Sequence, residues 1–180
     1  RTEQGLYEFE GLGPGTYLVR EVQQFGYEQT LPLINSFAPP LQFDTGAAPT
    51  AIASDDLNGD GFIDLAVTNR DTDDVVILLG KGNGRFQLPQ SIGVGDGPAD
   101  LVAGDFNGDQ IPDLAVANSL SDTVSILMNS GAGTFVTALH VAGGDFPAGI
   151  ATGDLDGDDD LDLMVVNFES DDVTVLLNDG

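Results

Sequence analysis

Three stretches decide the fold: DLNGDGFID from Asp56 to Asp64, DFNGDQIPD from Asp105 to Asp113, and DLDGDDDLD from Asp154 to Asp162. Their first residues lie 49 apart, then 49 apart again. Oxygen-bearing side chains recur at positions 1, 3, 5 and 9: Asp56, Asn58, Asp60, Asp64; Asp105, Asn107, Asp109, Asp113; Asp154, Asp156, Asp158, Asp162. Calcium takes six to eight oxygen ligands, and alternate residues of a tight turn aim several of them at one point. A backbone carbonyl at position 7 (Phe62, Ile111, Asp160) would complete each set. The plain alternative is a solvated turn, since Asp, Asn and Gly are common turn formers. A turn, however, does not ask for an acid at the same places three times over. Packed carboxylates also repel unless a cation lies between them. Up to three calcium ions are therefore expected, one per loop.

The loops differ at position 6, where the backbone turns sharply and Gly is favoured. Gly61 meets that need, while Gln110 and Asp159 replace it in the other two. A left-handed non-Gly residue costs roughly 1–2 kcal/mol, Asp less than Gln. The second loop is thus expected to be the weakest. The third, with four full carboxylates, is expected to bind well and to repel itself most when empty.

The same period organises the rest of residues 37–180. Phe37, Phe86 and Phe135 share it, as do Gly46, Gly95, Gly144 and Pro49, Pro98, Pro147. Downstream it continues through Leu65, Leu114, Leu163, through Asn69, Asn118, Asn167, and through the apolar triplets beginning at Ile77, Ile126 and Val175. Such a period signals a solenoid or propeller. Each unit holds four short strand-like runs, in the middle unit Ala99–Gly104, Asp113–Asn118, Thr123–Asn129 and Thr134–Val141. Four antiparallel strands per unit match a propeller blade. No window is free of Gly and Asp for long enough to make a helix. An EF-hand is excluded, because position 12 is Val67, Val116 or Val165 rather than Glu.

The fold class expected is all-β: a partial β-propeller of four-stranded antiparallel blades with calcium loops, preceded by strands from a truncated β-sandwich. The propeller part spans 36–180, with a leading strand in 36–48, blades at 49–97 and 98–146, and an incomplete third at 147–180. Three blades are too few to close a ring. Further blades of the same chain are the expected partners of its open apolar faces, an open three-blade stack being the alternative.

Five basic against thirty acidic residues give a net charge of −25 over 180 residues. Nucleic acid and anionic membrane are poor partners for such a surface. Disorder is also excluded, since 41% of residues are hydrophobic. There is no Cys, and no apolar run approaches the ~20 residues of a membrane span. The chain starts at Arg1, so any signal peptide is expected upstream of it.

Residues 5–21, with Gly5, Tyr7, Phe9, Leu12, Gly15, Tyr17, Val19 and Glu21, resemble the closing strands of B-type repeats, the prealbumin-like sandwiches of bacterial surface proteins. In members that form an isopeptide bond, the resemblance implies a catalytic acid at Glu21. The Lys and Asn partners would lie on earlier strands that this chain lacks, and a solvated strand glutamate is the preferred reading. Residues 1–35 are read as the end of an upstream domain, with Leu31–Ser36 as linker.

The D-x-[ND]-x-D-x-x-x-D loops, the following Leu-Ala-Val or its like, the Asn, the apolar triplet and G-x-G-x-F (Gly82 to Phe86, Gly131 to Phe135) resemble FG-GAP or VCBS-type repeats, known from the integrin α-chain propeller and from large bacterial surface proteins. The resemblance implies a propeller of about seven blades with calcium in a hairpin between the first two strands of a blade. It also implies an extracellular, cell-surface adhesion or interaction module with a protein or glycan ligand, calcium being structural. A propeller enzyme acting on polysaccharide and a pure spacer are the alternatives. Against catalysis stand a single unrepeated His140, no Cys and no G-x-S-x-G elbow.

Overall fold

The chain divides into two units, Arg1–Leu41 and Gln42–Gly180. The computed structural model describes residues 39–180, so the readings of residues 1–35, Glu21 and the linker lie outside the described residues. Eleven strands form three antiparallel sheets, and no helix occurs among the described residues. The first sheet runs in the order β1 (Pro49–Asp55), β2 (Asp64–Asn69), β3 (Asp74–Leu78), β4 (Gln90–Gly93). The second repeats it with β5 (Pro98–Gly104), β6 (Asp113–Asn118), β7 (Thr123–Asn129) and β8 (Phe135–Ala142). The third has only β9 (Pro147–Gly153), β10 (Asp162–Asn167) and β11 (Asp172–Leu176), with β11 at its edge.

The central strands read as continuous apolar runs because both of their faces are covered. All six residues of β6, DLAVAN, are buried. Side chains alternate across a strand, so Leu114 and Val116 join Val75 and Ile77 in a core between the first two sheets. Ala115 and Ala117 join Ile150, Leu163 and Val165 in a second core between the last two. The second sheet is therefore the filling of a three-layer stack.

Residues 39–48 form no strand, and the first begins at Pro49. The leading strand expected within 36–48 is not present in its described part. Pro39 and Pro40 remove two adjacent N–H donors, which a ladder requires. Phe43 instead meets Phe86 edge-on, ring centroids 5.0 Å apart.

The asparagines that end the second strands, Asn69, Asn118 and Asn167, are buried. Each donates Nδ2–H to the start of the following strand: Asp74 Oδ1 at 2.9 Å, Thr123 Oγ1 at 3.1 Å, Asp172 Oδ1 at 2.8 Å. A Cβ on Gly46 would lie 2.6 Å from Asn69 Nδ2. The glycine of the repeat is thus required by the close approach of the buried amide.

The outer side of the third sheet is open. Val173 and Val175 are 57% and 49% exposed, whereas their equivalents Val75 and Val124, Ile77 and Ile126 are buried. The outward side of the first sheet is less so: Ile52 is exposed, but Val67, Val76 and Leu78 are buried.

Candidate metal centres

Each acidic loop closes the hairpin between the first two strands of its sheet, with registers Asp55↔Asp64, Gly104↔Asp113 and Gly153↔Asp162. Position 1 draws the loop around itself. Asp56 accepts from the N–H of Asp60 (3.1 Å) and Gly61 (2.8 Å). Asp105 accepts from Gly108 (2.8 Å) and Gln110 (2.7 Å), and Asp154 from Gly157 (2.7 Å) and Asp159 (3.3 Å). Position 5 accepts from position 7: Phe62 N–H to Asp60 at 2.9 Å, Ile111 to Asp109 at 2.8 Å, Asp160 to Asp158 at 3.0 Å.

Position 6 is left-handed in every loop, with φ of 83° at Gly61, 66° at Gln110 and 74° at Asp159. Gln110 thus sits where a side chain is strained. Gln110→Gly is expected to raise stability by about 1 kcal/mol, strain relief exceeding the added freedom of the unfolded chain. Urea unfolding with a chelator present measures it, and an unchanged or lower midpoint would contradict it.

Position 9 does something the sequence did not suggest. Asp64, Asp113 and Asp162 are fully buried. One oxygen of each accepts the N–H of position 2: Leu57 at 3.0 Å, Phe106 at 3.2 Å, Leu155 at 2.8 Å. The other accepts an N–H at or just past the end of the third strand: Gly80 at 2.6 Å, Asn129 at 2.7 Å, Asn178 at 2.8 Å. A carboxylate oxygen has further lone pairs, so this clamp is compatible with a ligand role. Burial raises the pKa of Asp64 and Asp113; the two backbone donors oppose it, and the charges at positions 1 and 5 add to it.

The loops differ in how far their acids converge. In the third, oxygens of Asp154, Asp156 and Asp162 lie within 4.8 Å of one another, and among the described residues this is the one such cluster of three acids. Asp156 is pushed above the ordinary carboxylate range by desolvation and by Asp158, Asp162 and Asp154. In the first, Asn58 donates Nδ2–H to Asp60 at 3.1 Å. In the second, burial acts to raise Asp105, but donors from Gln110, Asn107, Gly108 and Asp109 together hold it below the usual range. The donor set is all oxygen, compact and mutually repulsive. It fits a hard divalent cation held by Asp154, Asp156 and Asp162, with Asp158 and the carbonyl of Asp160 in the same loop.

Two residues that the sequence reading passed over tie the loops together. Asn129 donates Nδ2–H to the carbonyl of Leu57 at 2.7 Å, in the acidic loop of the preceding sheet. Asn178 does the same to Phe106 at 3.0 Å. Each loop is therefore clamped by its own Asp, and the first two are latched by the next sheet. The signal was present: Asn129 and Asn178 share the 49-residue period, with Gly80 at the corresponding place in the first unit.

His140 lies on β8, where Nδ1 meets Ser125 Oγ at 2.9 Å. Ser125 Oγ also accepts from Asn118 Nδ2 (2.8 Å) and Gly95 N–H (3.2 Å). The serine is fully buried.

The sequence has no match among curated proteins. Among solved structures it is similar to a chain in the crystal structure of BBS1N in complex with ARL6DN, soaked with mercury. The identity is 17%, the TM-score 0.46, and the match covers 74% of this chain and 41% of that one. The model of the FG-GAP-like repeat matches twice, at residues 56–116 and 105–165. These matches together span 56–165, 110 of 180 residues, and they are centred on the hairpins and apolar strands described above. The chain belongs to the FG-GAP-like repeat family.

Proposed function

We propose that this is a calcium-stabilised, non-catalytic interaction module of the propeller type, working at a cell surface or in secreted form on a protein or glycan ligand. The convergence of Asp154, Asp156 and Asp162 carries the reading. With calcium bound, the like charges that crowd this loop are neutralised and the hairpin is pinned; up to three ions, one per loop, would offset six of the 25 excess negative charges. The Ser125–His140 contact supports a structural rather than nucleophilic role, because the serine is buried and its oxygen already accepts two hydrogen bonds. No helix in the described part is long and apolar enough to cross a membrane. The test is the unfolding temperature with calcium and with a chelator; coincident curves would remove the reading.

A further inference from the structure

Positions 3 and 4 of the acidic loops read Asn58-Gly59, Asn107-Gly108 and Asp156-Gly157. An asparagine followed by glycine is open to attack by the next peptide nitrogen, because no Cβ shields that nitrogen and the backbone turns freely there. The nitrogen bonds to the side-chain Cγ, the side-chain nitrogen leaves as ammonia, and a cyclic succinimide closes. Water then opens the ring at either carbonyl. The product is Asp, or its isomer with the main chain routed through Cγ.

The second loop holds Asn107 as this reaction requires. The residue is exposed. Its Oδ1 accepts the N–H of Asp109 at 2.9 Å, so the side chain curls forward and Cγ shares one hydrogen-bonded ring with the nitrogen of Gly108. The same donor stabilises the charge that grows on Oδ1 during attack. The N–H of Gly108 is donated to Asp105 Oδ1 at 2.8 Å. A carboxylate is thus in place to take that proton as the new bond forms and to pass it to the departing ammonia. Hydroxide, the usual base for the step, is repelled by Asp105, Asp109 and Asp113. Asn107 Nδ2 is held weakly, by Met128 Sδ at 3.7 Å. Apart from its chain neighbours, nothing lies within 4 Å of where a Cβ on Gly108 would sit.

The other two Asn-Gly pairs of the described residues lack this arrangement. In the first loop Asp56 accepts from Asp60 and Gly61 instead, and half-buried Asn58 has its Nδ2 tied to Asp60 Oδ2 at 3.1 Å. At the exposed pair Asn83-Gly84, Oδ1 accepts from Arg85 N–H at 3.2 Å, but among the described residues no carboxylate accepts the Gly84 N–H.

We propose that Asn107 is a self-modifying site, converted to aspartate and isoaspartate with Asp105 as the base and the Asp109 N–H as the donor to the amide oxygen. The aspartate form carries acids at positions 1, 3, 5 and 9, a set that the sequence itself writes only in the third loop. The step uses no ion, so it stands apart from the calcium reading.

The test incubates the whole 180-residue chain in mildly alkaline buffer with chelator and follows Asn58, Asn83 and Asn107 together by mass-spectrometric peptide mapping. Asn107 is expected to convert fastest of the three, and faster in the folded chain than in the same chain held unfolded in guanidinium. Asn58 is expected to show the opposite order, as its amide is tied down by folding. Asp105→Asn is expected to slow Asn107 by about tenfold or more and to leave Asn83 at its own rate. Should that variant fail to fold, the comparison of folded with unfolded chain decides alone. Conversion of Asn107 no faster in the folded chain than in the unfolded one, or at an unchanged rate in folded Asp105→Asn, overturns the proposal, since the dipeptide alone would then set the rate.

Discussion

Asp113→Ala is expected to destabilise the chain by about 3–5 kcal/mol in urea unfolding with chelator present. The side chain is fully buried and accepts from Phe106 N–H and Asn129 N–H. Its removal leaves two buried donors without partners, each costing roughly 1–3 kcal/mol. Freeing Asn129 also loosens its side chain from Leu57 and Pro112, so the junction between the first two sheets weakens with the hairpin. Relief of repulsion from Asp109 and Asp105 offsets part of the cost. Asp113→Asn keeps one acceptor and is expected to fall near half that loss. Because no ion is present under chelation, the measurement isolates the clamp from any ligand role, and a change below about 1 kcal/mol would contradict the clamp.

Calcium is expected to raise the unfolding temperature by about 5–10 °C for one occupied loop, and by more if all three fill. Extracellular calcium modules bind with dissociation constants of roughly 10⁻⁴–10⁻³ M. At one hundred times the dissociation constant, a site contributes about 2.7 kcal/mol. A chain of this length shifts by roughly 2–4 °C per kcal/mol. Screening of the −25 net charge alone would raise stability with any salt. Magnesium at equal ionic strength is therefore the control, since it demands a tighter octahedral site. Asp156→Asn is expected to remove a large share of the calcium-dependent rise, because Asp156 joins Asp154 and Asp162 in the one convergent cluster among the described residues. An equal rise with magnesium would assign the effect to screening.

The fold was legible because the repeat wrote it three times. In the middle unit, the runs expected at Asp113–Asn118 and Thr123–Asn129 are the strands β6 and β7. Of the other two runs, one gains a residue at its start, Pro98–Gly104, and one moves by a residue, to Phe135–Ala142. Strand ends carry little information of their own, since pairing rather than composition terminates a ladder. The third sheet has three strands among the described residues. Over residues 39–48 the expected leading strand does not form, because Pro39-Pro40 removes ladder donors; Phe37 lies outside the described residues.

At the site, the spacing pointed to the right carboxylates but treated positions 1, 3, 5 and 9 as equals. Position 9 is distinct because it begins the middle strand of its sheet and is itself fully buried there, a fact of packing that no loop motif contains. The latches from Asn129 and Asn178 were likewise hidden, since each acts on the loop of the neighbouring sheet, 72 residues away in sequence.

The most direct test of the whole account is a calorimetric titration of calcium into the decalcified chain. The expected result is saturable binding of one to three ions per chain, with one equivalent lost on Asp154→Asn/Asp156→Asn. A flat titration to millimolar calcium, or a stoichiometry untouched by that double substitution, would contradict the claim that the recurring oxygens are there to hold a divalent ion.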